Sequence, residues 1–235
     1  MSDFQDPIGK AILDYSKQEH DENIIVRSEL CDDDVIPVEH LFRSFDEFPE
    51  IEKIALGHCK GEVLDVGAAV GIHSMELMKR RHVVKAIDIS KGSIEYMQSN
   101  GLNAEHINFF SLENESFDTL LFLMNGIGIA GTLGNLPHFL KKCKSLLNPG
   151  GNIICDSTDI KYLYENEDGS LWVDLASEYY GNFRYQMAYK DEETPWFDWL
   201  YLDKEKFQEA AEKEGFTFKL LMEEEDHFLA ELSTS

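Results

Sequence analysis

From residue 61 onward, short apolar runs alternate with stretches whose apolar positions recur every three to four residues. The first run, "EVLDVG" (62–67), is strand-length and leads through small residues into "IHSMELMKRR" (72–81), which has helical spacing. The alternation continues, predicting strands at "VVKAIDIS" (83–90), "AEHINF" (104–109), "FDTLLFLMNG" (117–126) and "GNIICDST" (151–158). Between them lie helices at "KGSIEYMQSNG" (91–101), closed by Gly101, and "LPHFLKKCKSLL" (136–147), stopped by "NPGG". Strand and helix in turn imply parallel strands joined by right-handed crossovers, hence an α/β doubly wound sheet.

The flanks read differently. Residues 1–60 look helical and irregular, with helical spacing at 8–15 and 48–59. After Asp159 two strands are expected at 183–190 and 196–202, around the turn "DEETP". An amphipathic helix, "DKEKFQEAAEKEG" (203–215), then precedes "FTFKLLMEE" and "HFLAELS", an antiparallel pair around an acidic turn. The expected organisation is one domain, 1–235. It comprises a helical N-terminal part (1–60), a core of parallel strands (61–159), an aromatic insert (160–202) and a closing helix and hairpin (203–235). Five parallel strands and the hairpin give a seven-stranded, mostly parallel sheet.

Composition narrows the function. Forty-five acidic against 21 basic residues leave a formal net charge of -24 over 235 residues. Nucleic-acid binders place Lys and Arg against phosphates, so no nucleic acid is expected, and an anionic membrane surface is equally disfavoured. Residues 119–140 contain no Asp, Glu, Lys or Arg, but their glycines, asparagines and proline fit a buried strand and a Gly-rich loop better than a membrane span. Cys31, Cys59, Cys143 and Cys155 form no CxxC pair, and no metal ligand set is read from them. They read as reduced thiols of a cytoplasmic protein, and no signal peptide is read at the N-terminus.

The stretch "LDVGAAVGIHS" (64–74) carries the chemistry. A strand entering a helix through small residues offers backbone N–H groups and the positive end of the helix dipole to a ligand. A phosphate-gripping P-loop needs Lys and Ser or Thr after the last Gly, whereas Ile72 and His73 follow here. A dinucleotide turn, GxGxxG, needs a small residue where Ile72 stands. The small residues fall instead at Gly67, Ala69 and Gly71, with Asp65 two places before the first.

That spacing resembles the first motif of class I S-adenosylmethionine-dependent methyltransferases, (D/E)xGxGxG, with Ala69 in place of the middle Gly. The resemblance extends to Asp88 at the end of the second strand, to "FDTLLFLMNGIG", to "LLNPGGNIICDS" and to the closing helix and hairpin, over roughly residues 55–235. It implies a Rossmann-like fold and S-adenosyl-L-methionine as cofactor. Asp88 is then the acid for the two ribose hydroxyls. Asp65, Gly67, Ala68, Ala69, Gly71 and His73 belong to the turn around the methionine half, and Ile89, Phe109, Met124, Asn125 and Gly126 line the rest of the cofactor. The third strand lacks the Asp that often meets the adenine amino group, and Asn108 is the nearby substitute. Residues 1–60 resemble, more loosely, the helical lids of small-molecule methyltransferases, in which an Arg such as Arg43 holds the cofactor's carboxylate.

Methyl transfer is an in-line displacement with an activated leaving group, so proximity and alignment do most of the work and a base is needed only if the acceptor must lose a proton. Asn125 and Asp156, at the carboxyl ends of the fourth and fifth strands, are the candidates for contact with the reacting atoms; Asp156 suits either a base or a turn cap. Asn125 is not followed by the "PPY" of adenine and glutamine N-methyltransferases. His73 fits a pocket wall or a satisfied first-turn helix residue. A small-molecule acceptor is expected to meet residues 1–50 and 160–200, where Tyr162, Tyr164, Trp172, Tyr179, Tyr180, Phe183, Tyr185, Trp199 and others cluster. Such rings suit cationic or planar acceptors, and equally hairpin packing or the interface of a homodimer; monomer and homodimer both remain open. Two other functions remain beside methyl transfer: a non-catalytic assembly protein on the same fold, and an NAD-dependent oxidoreductase, disfavoured by the glycine spacing.

Overall fold

The structure, a computed structural model, describes residues 5–19, 22–164 and 179–234. Trp172 lies outside the described residues. In chain order the elements are α1 (Pro7–Ser16), β1 (Ile24–Ser28), β2 (Asp34–Ile36), α2 (Glu50–His58), β3 (Glu62–Val66), α3 (Ile72–Lys79), β4 (Val83–Asp88), α4 (Lys91–Ser99), β5 (Ala104–His106), β6 (Phe117–Phe122), α5 (Leu136–Ser145), β7 (Leu147–Thr158), β8 (Asn182–Tyr189), β9 (Glu192–Glu193), β10 (Phe197–Leu200), α6 (Lys204–Lys213), β11 (Phe216–Glu224) and β12 (His227–Thr234).

The larger sheet has seven strands in the order β11-β12-β7-β6-β3-β4-β5. The five strands from β7 to β5 run parallel, and β12 and β11 are antiparallel. This is the doubly wound sheet with a closing hairpin that the apolar pattern predicts. The apolar run of β6 is buried on both faces: Leu120, Leu121 and Phe122 have no exposed surface. One face packs with Phe139, Leu140 and Phe207, the other with Leu56 and Leu77. β7 begins at Leu147, so "NPGG" enters the strand rather than preceding it; Gly150 takes a φ of +76°, and the β6–β7 register shifts between Phe117 and Thr119.

A second sheet, β10-β8-β1-β2 with β9 on β8, is antiparallel throughout. Residues 1–60 therefore contribute two strands beside the expected helices, and the insert joins them through β8, which pairs with β1. Ile25 faces Ala188 and Ser28 faces Tyr185 across that seam. The small sheet docks at the carboxyl edge of the large one. A Cβ on Gly128, in the loop after β6, would come within 2.1 Å of the Trp199 indole on β10, so only glycine fits there. The Leu202 N–H donates to Ser157 Oγ at 2.9 Å, tying the chain after β10 to β7.

Candidate active site

The turn between β3 and α3 is held by short-range bonds. The N–H groups of Gly67 and Ala68 donate to the Ile87 carbonyl at 2.9 and 3.2 Å. Buried Asp65 accepts from Ser74 Oγ at 2.6 Å, and burial raises its pKa against the opposing pull of His73 and Ser74. Gly67, Ala69 and Gly71 have φ values of +71°, +50° and +79°, so every second residue is left-handed. That accounts for the period of two in the small residues. A Cβ on Gly67 would meet no protein atom within 4 Å, whereas one on Gly71 would meet Leu102 Cδ1 at 2.7 Å and Met97 at 3.1 Å. Gly67 thus borders the cleft, and Gly71 is required by packing against α4. Ala68 is buried beside Ile94 and Met97. Ala69 adopts a left-handed conformation that a glycine would adopt freely, at a cost of about 1–2 kcal/mol.

Asp88, at the end of β4, faces this turn. Its Oδ2 accepts from the Ala69 N–H at 2.9 Å and its Oδ1 from the Ser90 N–H at 2.8 Å. Burial raises its pKa, backbone donors oppose the shift, and the nearby Asp6 carboxylate adds to it. Ile89, next along, is 71% exposed, a large apolar side chain left open beside the acid. Asn108 Oδ1 accepts from the Phe110 N–H at 2.9 Å, which commits the expected adenine acceptor to a local cap. Phe109 is buried against Phe122 and Phe139 and lies in the core rather than on the cleft.

Arg43 and His73 meet on a residue that the sequence did not single out. Glu52 of α2 pairs with Arg43 Nη2 through Oε1 and with His73 Nε2 at 2.8 Å through Oε2. All three side chains are buried, and the Phe48 ring packs against both the guanidinium and the imidazole. Burial opposes ionisation of Glu52, yet His73 and Arg43 together hold its pKa below the ordinary value. Arg43 also donates to the His40 carbonyl at 2.8 Å, and its Nε has no partner among the described residues. Arg43 is therefore neutralised by Glu52 rather than free at the cleft, and His73 is a satisfied first-turn residue of α3.

The carboxyl ends of β6 and β7 bring Asn125 and Asp156 together. Met124 and Asn125 are consecutive left-handed residues, φ +58° and +57°, a strained pair of the kind found at functional sites. Asp156, 3% exposed, holds them by accepting from the Asn125 N–H at 3.1 and 3.2 Å. Its Oδ2 also lies 2.6 Å from His227 Nε2. His227 is the functional candidate that sequence reasoning missed. The register pairs Leu229 with Asp156 and His227 with Thr158, making His227 and Asp156 diagonal neighbours on one face. Asn125 Oδ1 is buried with no hydrogen-bond partner among the described residues. Met124 is 40% exposed, whereas Gly126 is buried, with Phe122 Cβ at 3.3 Å from a notional Cβ.

The aromatic residues divide into two groups. Tyr179 and Tyr180 hydrogen-bond Asp203 at 2.6 and 3.2 Å, and Tyr180 also reaches Asp159 at 2.8 Å, a network that pins the insert to the start of α6. Tyr185 donates to Tyr201 at 3.2 Å, and Phe183 and Phe197 pack around that pair. Burial raises the pKa of Tyr201, with Tyr162 and the carboxylates of Asp156 and Asp34 adding to the rise. Among the described residues no group of three or more His, Cys, Asp and Glu side chains is arranged to hold a metal ion, and no helix is long and apolar enough to cross a membrane.

Comparison with known proteins agrees with this geometry. A family described as a methyltransferase domain matches residues 63–151. A SAM-dependent methyltransferase from Bacteroides fragilis, crystallised with S-adenosyl-L-homocysteine, is 40% identical; the match covers 98% of this chain and 95% of that one, with a TM-score of 0.92. The sugar N-methyltransferase KedS8 from Streptoalloteichus sp. is 14% identical over 83% of this chain and 92% of its own, with a TM-score of 0.57. The amino pentose methyltransferase CalS10 from Micromonospora echinaspora, with SAM bound, is 14% identical over 79% and 88%, with a TM-score of 0.51. These last two share the fold alone. No curated protein matches the chain in sequence.

Proposed function

The chain belongs to the class I S-adenosylmethionine-dependent methyltransferases, and from that premise we propose that it methylates a small-molecule acceptor by in-line displacement. The observation that carries this reading is the edge formed by Gly67 and Asp88. Among the described residues open space faces Gly67, and a carboxylate with spare lone pairs stands at Asp88. These residues fit S-adenosylmethionine, whose bound sulfonium supplies an activated methyl group. Asp88 accepts from the ribose hydroxyls, as a carboxylate accepts two O–H bonds at once. Gly67 lets the backbone lie against the methionine half, and exposed Ile89 offers an apolar face to the adenine. Arg43 and His73 act from behind: through Glu52 they fix α2 and the start of α3, and so the turn itself.

The acceptor enters from the small sheet, where Tyr201, bonded to Tyr185, precedes Leu202, whose N–H donates to Ser157 next to Asp156. A cleft closed by a second sheet suits a small molecule more than a protein or nucleic-acid strand, and the charge of -24 repels polyanions. The test is incubation with methyl-labelled S-adenosylmethionine and pooled metabolites, read by mass spectrometry. Label in a product of low molecular mass is expected. Label confined to added protein or nucleic acid overturns the small-molecule reading, and failure to bind S-adenosylhomocysteine overturns the whole of it.

A further inference from the structure

Three features at one edge of the large sheet remain unused by cofactor binding. The first is the pair His227–Asp156, joined at 2.6 Å through Nε2. Asp156 is otherwise occupied by the Asn125 N–H, so its second oxygen orients the imidazole rather than facing an acceptor. With Nε2 donating to Asp156, Nδ1 is the basic nitrogen, and it makes no hydrogen bond among the described residues. The second is Asn125 Oδ1, buried with no donor among the described residues. A buried acceptor left unsatisfied costs about 1–3 kcal/mol, which a ligand donor removes. The third is the tyrosine pair Tyr185–Tyr201, attached beside Asp156 by the Leu202–Ser157 bond and lying in the field of Asp156 and Asp34.

Resting on the methyltransferase reading, we infer that the acceptor atom is the nitrogen of a primary or secondary amine, that Asn125 Oδ1 accepts one of its N–H groups, and that His227 takes the proton it must lose. Proton counting separates an amine from other acceptors. A hydroxyl or thiol has a single hydrogen, which cannot serve both Asn125 and His227. An ammonium carries one hydrogen for each. Its charge suits the tyrosine rings and the surrounding carboxylates, which in turn disfavour an anionic acceptor. The step balances. The ammonium gives a proton to His227 Nδ1, and the freed nitrogen lone pair forms the new N–C bond. The C–S bond breaks with its electron pair going to sulfur. The products are a methylated ammonium and neutral S-adenosylhomocysteine, and the proton on His227 passes to solvent. Asp156 is a positioning residue, holding both the imidazole and the Asn125 backbone.

The test uses the full chain saturated with S-adenosylhomocysteine, whose own binding is measured first by calorimetry and judges the underlying reading separately. Benzylamine and benzyl alcohol, matched in ring and size, are then titrated at millimolar concentration by ligand-observed magnetic resonance. Benzylamine is expected to bind at least about ten-fold more tightly than the alcohol. Asn125→Ala is expected to lower benzylamine affinity about ten-fold while S-adenosylhomocysteine binds as before. Equal binding of the two probes, binding of neither, or an unaffected Asn125→Ala protein overturns the assignment. Methyl-labelled cofactor with pooled amines, alcohols and thiols gives the second arm: label is expected on nitrogen, and label only on oxygen, sulfur or carbon, or on none of them, overturns it. On the amine so found, His227→Gln is expected to cut turnover by about 10²-fold, the ordinary worth of a general base. Turnover should recover as the pH approaches the amine's own pKa, about 10 for an alkylammonium. Wild-type turnover in His227→Gln, or loss without recovery at high pH, removes His227 from the role.

Discussion

Asp88 accepts two backbone hydrogen bonds, yet burial and the neighbouring Asp6 carboxylate raise its pKa. A folded value above the ordinary one means that its contribution to stability is largest below about 4 and is lost as pH rises through the folded value. At neutral pH the ligand-free protein therefore carries an electrostatic cost, which the two ribose O–H donors of the proposed cofactor site would offset. Those donors would need the ionised carboxylate, so affinity for S-adenosylhomocysteine is expected to fall on acidification through the raised value. Calorimetry across that range checks it; Asp88→Asn should bind weakly and with a flatter pH profile, and a wild-type profile in that variant sinks the role. Asp88→Ala is expected to lose about 1–3 kcal/mol of binding. The two glycines of the turn separate in the same way. Gly71→Ala meets Leu102 and Met97 and should lower the denaturant midpoint clearly. Gly67→Ala meets no protein atom and should cost about 1–2 kcal/mol for its left-handed φ alone, while Gly67→Val should in addition abolish cofactor binding. Gly67→Val that folds and still binds S-adenosylhomocysteine normally would show that nothing approaches the turn.

At the scale of elements, α1 is fastened to the start of α4 beside Asp88. Asp6 caps α1 by accepting from the Gly9 N–H at 2.9 Å, and its other oxygen accepts from Ser90 Oγ and the Gly92 N–H, both at 3.0 Å. The helices touch through glycines: a Cβ on Gly92 would lie 2.5 Å from the Gly9 backbone, which cannot give way as a flexible side chain can. Gly92→Ala should therefore displace α1, at about 1–3 kcal/mol, although alanine favours a helix over glycine. Hydrogen exchange is expected to rise across residues 7–16 first, and exchange unchanged there in a folded variant would show that the contact is not required. The helices α1 and α4 were legible in the sequence because each has helical apolar spacing, and Asp6 and Ser90 are good caps. β1 and β2 were not. They are short and flanked by acidic residues; β1 becomes a strand by pairing with β8, more than a hundred positions away, and β2 by pairing with β1 in turn. His227 and Glu52 were hidden for the same reason. Asp65, Gly67 and Asp88 lie on one turn and its neighbouring strand end and declare themselves in order, whereas Asp156–His227 and Arg43–Glu52–His73 exist only through register and helix docking.

For the whole molecule, the order of segments matters more than their number. The small sheet draws β1 and β2 from the beginning of the chain and β8, β9 and β10 from beyond the parallel core, and Trp199 and Leu202 then fix it to the loop and strand that carry Asn125 and Asp156. Neither sheet has a continuous segment of its own to unfold without disturbing the other. Thermal unfolding of the full chain is therefore expected as one transition, with both sheets lost together. Binding at the turn lies between them and should stabilise the whole. At a hundred-fold excess over its dissociation constant S-adenosylhomocysteine contributes about 2.7 kcal/mol, which for a chain of this size raises the melting temperature by about 5–10 °C. NAD should leave it unchanged, since the helix already begins at Ile72, where a dinucleotide turn requires a third small residue. Differential scanning calorimetry reads all three expectations in one series. Two resolved transitions would show that the sheets are independent. A single transition moved by NAD and not by S-adenosylhomocysteine would show that the alternate left-handed residues of "GAAVG" serve the packing of α3 against β3 and leave the cofactor to bind elsewhere.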